Sequence, residues 1–292
     1  MTVLRGHPGG ALGAGLLAAI VIGAVLAPLI APFGLREKAG AVYQPPSWPH
    51  PLGLDDAGVD MVTLLLWGAR TSLLVGFAAA LIAVVVGGAV GLIAGYAGGR
   101  TDAVLMRVTD YMLVIPDIPL LLIVAAIWGR SMTGVILIIG LLSWPRLARV
   151  VRAEALSVRE RAYVQRALTI GAGSLRIVGT HVLPHVTPLL LTLAIFAVGN
   201  AILVETAVAF LGLGDPSAVS WGRLIQNAFA GQAVSRGAWW AIVPPGLAVG
   251  FLILSCTLIG RALEDHLNPR LRSGYLSVRT FRVVTTPTRG EP

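Results

Sequence analysis

The sequence predicts an all-α integral membrane protein with six transmembrane helices, and three observations carry that prediction. Hydrophobic residues make up 56% of the 292-residue chain and charged residues only 12%, with a mean hydropathy of +0.82. A soluble domain carries about 25% charged residues. Several apolar runs reach the roughly 20 residues that a bilayer crossing needs. The basic residues, which bring the net charge to +8, gather in loops between those runs. That is the positive-inside pattern, not a nucleic-acid footprint, and no nucleic-acid partner is expected. Cys256 is the only cysteine, so no internal disulfide is available to report a redox compartment.

The predicted spans are Leu12–Ala31, Ser72–Tyr96, Tyr111–Trp128, Met132–Val151, Val186–Leu211 and Trp239–Arg261. The first is too long for a signal-peptide core, and Pro28 and Pro32 follow it without a clean small-x-small site, so it reads as an uncleaved helix. In the second, Gly87, Gly91 and Gly95 recur every four residues, which suits close helix packing better than substrate contact. Pro116 and Pro119 interrupt the third. Asp117 between them either faces a translocation path or satisfies backbone groups freed by the prolines. Glu205 lies near one end of the fifth span. An ionisable residue there is a functional candidate by default; the structural reading, an anchor for the Phe210–Gly214 turn, is favoured.

Placing the N-terminus in the cytoplasm puts every Lys and Arg there except Arg36, Lys38, Arg70, Arg130, Arg223 and Arg236. Both termini are therefore expected inside. The expected organisation is a cytoplasmic N-terminus over 1–11, a transmembrane unit over 12–272 and a disordered basic tail over 273–292. The unit includes an external segment over 32–71, kept extended at first by Pro32, Pro45, Pro46, Pro49 and Pro51. Asp55, Asp56 and Asp60 then make an acidic patch. A cytoplasmic loop is expected over 152–185.

That loop is unusual for so apolar a chain. Ser157 with Glu160 fits a capping box, so a helix is expected to start afresh at Val158. Tyr163, Val164, Ala167, Leu168 and Ile170 form an apolar face at helical spacing, with Arg159, Arg161, Gln165, Arg166 and Thr169 mostly off it. Gly171 suits a C-terminal cap, and Ser174 opens a second short helix that Pro184 is expected to end. Two readings stand at this point: a basic hairpin lying on anionic lipid, or a stiff element that docks a protein. His181 and His185 are four apart, but Pro184 intervenes and no thiol or carboxylate is near, so no metal site is expected.

A phosphate-binding P-loop needs GxxxxGK followed by Ser or Thr. The only lysine, Lys38, lies in LREKAG. The chain is not expected to be an enzyme, and any ATP hydrolysis must occur on another polypeptide. Two other classes are weighed. An ion-driven secondary transporter predicts ionisable residues deep in several spans, and only Asp117 and Glu205 come close. An intramembrane enzyme predicts a Ser/His pair, HExxH or paired aspartates, and none appears.

The run from Tyr163 to Gly173, YVQRALTIGAG, followed by His181-Val-Leu183-Pro184, resembles the "EAA" loop of ABC importer permeases. Gly171 and the HVLP run keep the family spacing. Gln165 replaces the glutamate, Arg166 the first alanine and His185 an asparagine. The segment His50–Asp60, HPLGLDDAGVD, resembles the HPLGTDxLGRD stretch of the oligopeptide/dipeptide/nickel subfamily, with Val59 in place of arginine. Gly95–Gly99, Trp144–Glu154, Ala209–Gly214, Ser220–Gly222 and Leu267–Leu271 match further family segments, although the loop between Gly214 and Ser220 is short. The resemblance covers about residues 10–272 and is closest to the "C" permease of oligopeptide importers. It implies a type I ABC importer permease fold in a bacterial plasma membrane, and a coupling element comprising Tyr163, Gln165, Arg166, Ala167, Gly171, His181, Leu183 and Pro184. It also implies a second permease, two ATPase subunits that hold the ATP and Mg, and an external substrate-binding lipoprotein docked near Asp55, Asp56 and Asp60. No cofactor is expected on this chain. Oligopeptide is the expected substrate, with dipeptide, nickel or another small solute as alternatives.

Overall fold

A computed structural model describes residues 7–267, except for the side chains of residues 117, 118, 125, 128 and 267. The tail at 273–292 lies outside the described residues, as does most of the 1–11 segment. The described chain is helical: α1 Pro8–Ile30, α2 Met61–Ala97, α3 Gly99–Val114, α4 Asp117–Trp128, α5 Met132–Arg159, α6 Ala162–Thr169, α7 Ser174–Ile177, a π turn Val178–Val182, α8 Leu183–Phe210, α9 Trp221–Ala230, a 3-10 turn Trp239–Ala241 and α10 Val243–Leu267.

Five helical stretches are long and apolar enough to cross a membrane: α1, α2, α5, the continuous Ser174–Phe210 rod, and Trp239–His266. The predicted third span is divided. Pro116 forces Ile115 out of the helical region, to ψ 126°, because the proline ring crowds the residue before it. The 12 residues of α4 reach only about 18 Å at 1.5 Å per residue, short of a hydrocarbon core of about 30 Å.

The long helices outrun their predicted limits. A helix of 37 residues such as α2 extends about 55 Å, so its ends stand in water. The expected restart at Val158 does not occur. α5 runs unbroken to Arg159, because Val151, Ala155 and Val158 are each fully buried on one face and hold the helix through the capping signal. Pro184 does not end a helix either. The chain widens into the π turn Val178–Val182 just before it and continues as α8. A proline ring in an ordinary helix collides with the carbonyl four residues back, and the wider turn relieves that collision.

α2 is the centre of the bundle, packed on α1, α5 and α8, while α10 packs on α1 and α8. The glycine spacing in α2 serves packing, as expected. A Cβ on Gly87 would lie 2.7 Å from the Trp144 carbonyl, on Gly91 2.5 Å from that of Ala148, and on Gly95 2.6 Å from that of Arg152. α2 and α5 thus touch backbone to backbone for at least two turns. Large apolar side chains such as Leu81, Val85, Leu29 and Ile127 remain exposed, as suits surfaces in contact with lipid or another subunit.

Candidate functional site

The hairpin at one end of the bundle is built on Val164, which is fully buried. It sits in a cluster with Val151, Val158, Ile177, Val182 and Val186. Arg161, in extended conformation, starts α6, and Gly171 ends it. At φ +83° Gly171 takes the left-handed conformation that side chains disfavour. Its N–H donates to the Leu168 carbonyl and that of Ala172 to the Ala167 carbonyl, both at 3.0 Å, which is a Schellman cap.

The predicted apolar face divides between two surroundings. Val164 points into the cluster and Ala167 is half-buried, whereas Tyr163, Leu168 and Ile170 are exposed. With Leu175, they form an apolar rim; Ile170 is 84% and Leu175 91% exposed. The departures from the family pattern have local partners. The Gln165 amide donates to the Arg159 carbonyl at 2.9 Å, closing the last turn of α5; a glutamate carboxylate has no proton to give there. The Tyr163 hydroxyl meets His185 Nε2 at 3.3 Å, and His185 Nδ1 donates to the His181 carbonyl at 3.0 Å. The Arg166 side chain, Leu183 and Pro184 are exposed.

Ion pairs brace this end. Arg152 grips Asp102 of α3 with Nε and Nη2 at 2.5 and 2.6 Å, and Arg149 meets Asp110 at 2.5 Å. Hydrogen bonds from Arg152 hold the Asp102 carboxyl below its ordinary range. A depressed carboxylate stabilises the fold above its unfolded pKa, and that contribution is lost as pH falls through the folded value. Asp102→Asn should therefore cost on the order of 1 kcal/mol at pH 7. In thermal unfolding, the gap from wild type should close as pH drops below about 4.

At the opposite end, the 31–60 segment is pinned by Trp240 Nε1, which donates to the Leu54 carbonyl at 3.1 Å. Its acidic patch is largely internal, so Asp55 and Asp60 are not the surface charges expected. Asp60 is fully buried; it caps α2 by accepting from the Thr63 N–H at 2.9 Å and pairs with His50 Nδ1 at 3.0 Å. Such a cap contributes about 1 kcal/mol. Asp55 is 8% exposed and accepts from the N–H groups of Ala57 and Val59 at 2.9 and 2.7 Å. Burial pushes its carboxyl up despite those bonds. Asp56 stays partly open, and Trp48 is wholly exposed.

Glu205 is 4% exposed and does not anchor the Phe210–Gly214 turn. That turn is closed by the backbone alone, with Gly212 at φ +78°. Instead Glu205 accepts from the Ser72 hydroxyl at 3.4 Å, while Ser72 Oγ accepts from the Trp221 N–H at 3.2 Å. The carboxylate thereby links α8 to α2 and to the start of α9. It lines a 440 Å³ cavity with Arg130, Asp215, Arg223, Gln226 and Asn227. The hydroxyl and N–H of Ser217 hold Asp215 below the usual carboxylate range. The Asp117 side chain lies outside the described residues. No group of three metal-ligating side chains occurs among the described residues.

Two further cavities lie along α5 and α8, one of 220 Å³ beside Ser143, Arg146 and Asn200, and one of 520 Å³ beside Glu154, His185 and Glu264. Asn200 and Ser143 belong to no motif in the sequence, and Arg146 reads there only as a topology charge. The available signal was a lone carboxamide deep in an apolar span.

Long apolar helices with cavities between them are the architecture of a multi-pass membrane protein. The chain belongs to the family of binding-protein-dependent transport system inner membrane components, whose pattern matches residues 87–273. It is 38% identical over 274 residues to a Brucella abortus protein provisionally named as a peptide transport system permease, covering 92% of this chain and 90% of that one. It is 35% identical over 277 residues to the di/tripeptide transport system permease protein DppC of Pseudomonas aeruginosa, covering 91% and 90%.

Proposed function

We propose that this chain is a permease subunit of an ATP-driven importer of peptides in a bacterial inner membrane. The observation that carries the reading is the hairpin: a capped helix seated on one buried valine, presenting Tyr163, Leu168, Ile170 and Leu175 outward beside four arginines. Such a surface suits docking into a groove of a partner, with apolar contact supplying affinity and the arginines steering approach. The partner is an ATPase pair that holds ATP and Mg. Gln165, Arg166, Ala167, Gly171, His181, Leu183 and Pro184 shape the coupling element. The end of α3 from Tyr111 onward and α4 together complete a sixth crossing, with both termini and the hairpin in the cytoplasm. A second, distinct permease closes the path. A substrate-binding lipoprotein docks at the external segment, where Trp48 is exposed and Asp56 partly so. Glu205, and Asp117 with it, belong to the path or its outer gate. ATP binding would move the hairpin and switch access between discrete packings.

The peptide assignment rests on the names of the relatives. The test is purification with and without co-expressed ATPases and companion permease. ATP hydrolysis stimulated by peptide-loaded binding protein only in the full complex is the expected result. Uptake by this chain alone, driven by an ion gradient, would establish a secondary transporter instead.

A further inference from the structure

We propose that Asn200, with Ser143, forms a contact station at mid-bilayer that holds the main chain of the transported peptide; this rests on the importer reading. Depth comes first. The Met132 N–H donates to Asp215 Oδ2 at 3.3 Å, so the start of α5 and the end of α8 lie at the same end of the bundle. Counting inward from Met132 and from Phe210, Ser143 and Asn200 lie about 17 and about 15 Å deep at 1.5 Å per residue. Both are near the middle of a hydrocarbon core about 30 Å thick, and both border the 220 Å³ cavity together with Arg146.

Asn200 is exposed, and its carboxamide has no hydrogen-bond partner among the described residues. Its neighbours in the cavity, Ala197, Phe196, Leu193 and Val204, are apolar or aromatic. An unpaired amide against acyl chains costs several kcal/mol, so this face is covered by something polar. Further cavities flank it on both sides. Phe196 walls both it and the 520 Å³ cavity toward the hairpin, and Glu205, next in sequence to Val204, lines the 440 Å³ cavity. α5 and α8 therefore border a series of chambers running from one end of the bundle to the other.

The chemistry of the station selects the occupant. A carboxamide offers two donors and an acceptor, which match a peptide N–H and C=O at once without reading the side chains. The Ser143 hydroxyl spends its proton on the Ile139 carbonyl at 2.7 Å and keeps acceptor capacity. Among the described residues, no carboxylate, imidazole or thiol lines this cavity.

The experiment uses the full importer in sealed vesicles, in a Cys256→Ala background; Cys256 is the only cysteine and is 2% exposed. Asn200→Cys should react with a water-soluble methanethiosulfonate at least tenfold faster than Leu254→Cys, a control on α10 that is 44% exposed. Transported peptide should slow the reaction. In Asn200→Leu, peptide imported per ATP hydrolysed should fall at least tenfold, and Asn200→Gln should restore part of it. Labelling no faster than at Leu254→Cys, or wild-type import by Asn200→Leu, overturns the station. Loss of the companion permease from the purified Asn200→Leu complex overturns it too, and assigns the carboxamide to the subunit interface. Failure of the wild-type complex to import any peptide overturns the importer reading itself.

Discussion

Gly91→Val is expected to abolish accumulation of folded permease in the membrane, with at least a tenfold loss of detergent-extractable, monodisperse protein. A Cβ at Gly91 falls 2.5 Å from the Ala148 carbonyl, 2.8 Å from Val151 Cβ and 3.0 Å from the Arg152 nitrogen. Two of those atoms are helix backbone and cannot swing aside. Overpacking typically costs about 1–3 kcal/mol when side chains can adjust. Here α2 and α5 would have to separate along a seam that includes Gly87 and Gly95, so the cost lies at or above that range. Domains hold only about 5–15 kcal/mol in reserve. Gly15→Ala and Gly250→Ala are the controls, because a Cβ at either meets nothing within 4 Å. Normal yield of Gly91→Val, measured by fluorescence-detected size exclusion, would show that the two helices are not held at backbone contact.

The double substitution Ile170→Asp, Leu175→Asp is expected to separate stability from coupling. Both side chains are almost fully exposed in the isolated chain, so the protein should accumulate and unfold as wild type does. ATP-driven uptake and co-purified ATPase should each fall at least tenfold, since two apolar contacts worth about 1.5–3 kcal/mol apiece when buried would be replaced by charges. Val164→Asp is the contrasting case. It places a carboxylate at a fully buried position and should lose folded hairpin and uptake together. Unchanged co-purification of ATPase with the double variant would remove the hairpin from the coupling role.

The sequence and the structure agree where a signal is local and repeated. Apolar runs located all the long helices, and glycines four apart marked α2 for close packing, with α5 as the partner the structure supplies. Gly171 announced its cap because few residues other than glycine take φ +83° cheaply. Other signals were local but overruled. Ser157 and Glu160 have the spacing of a capping box, yet the burial of Val151, Ala155 and Val158 on one face carries the helix past them. Asp55 and Asp60 read as surface charge because carboxylates usually are exposed; their burial depends on backbone donors and on His50, set by how the segment folds back on itself. Glu205 was legible as special but not in its role, since its partner Ser72 is 133 positions away. Asn200 was legible in principle and was outweighed by the apolar residues around it.

The π turn has a mechanical corollary. From Ser174 to Phe210 the chain is continuously helical, through Pro184 and Pro188, about 55 Å along its path at 1.5 Å per residue. An ordinary proline break at Pro184 would have left a swivel between hairpin and span, and a push on the hairpin would have been absorbed there. With the swivel replaced by a continuous, merely widened turn, a sideways displacement at Leu175 becomes a tilt of the whole rod. If the fulcrum lies near its midpoint, the Glu205 end swings by a comparable distance in the opposite sense. The hairpin and the far chamber are then two ends of one seesaw.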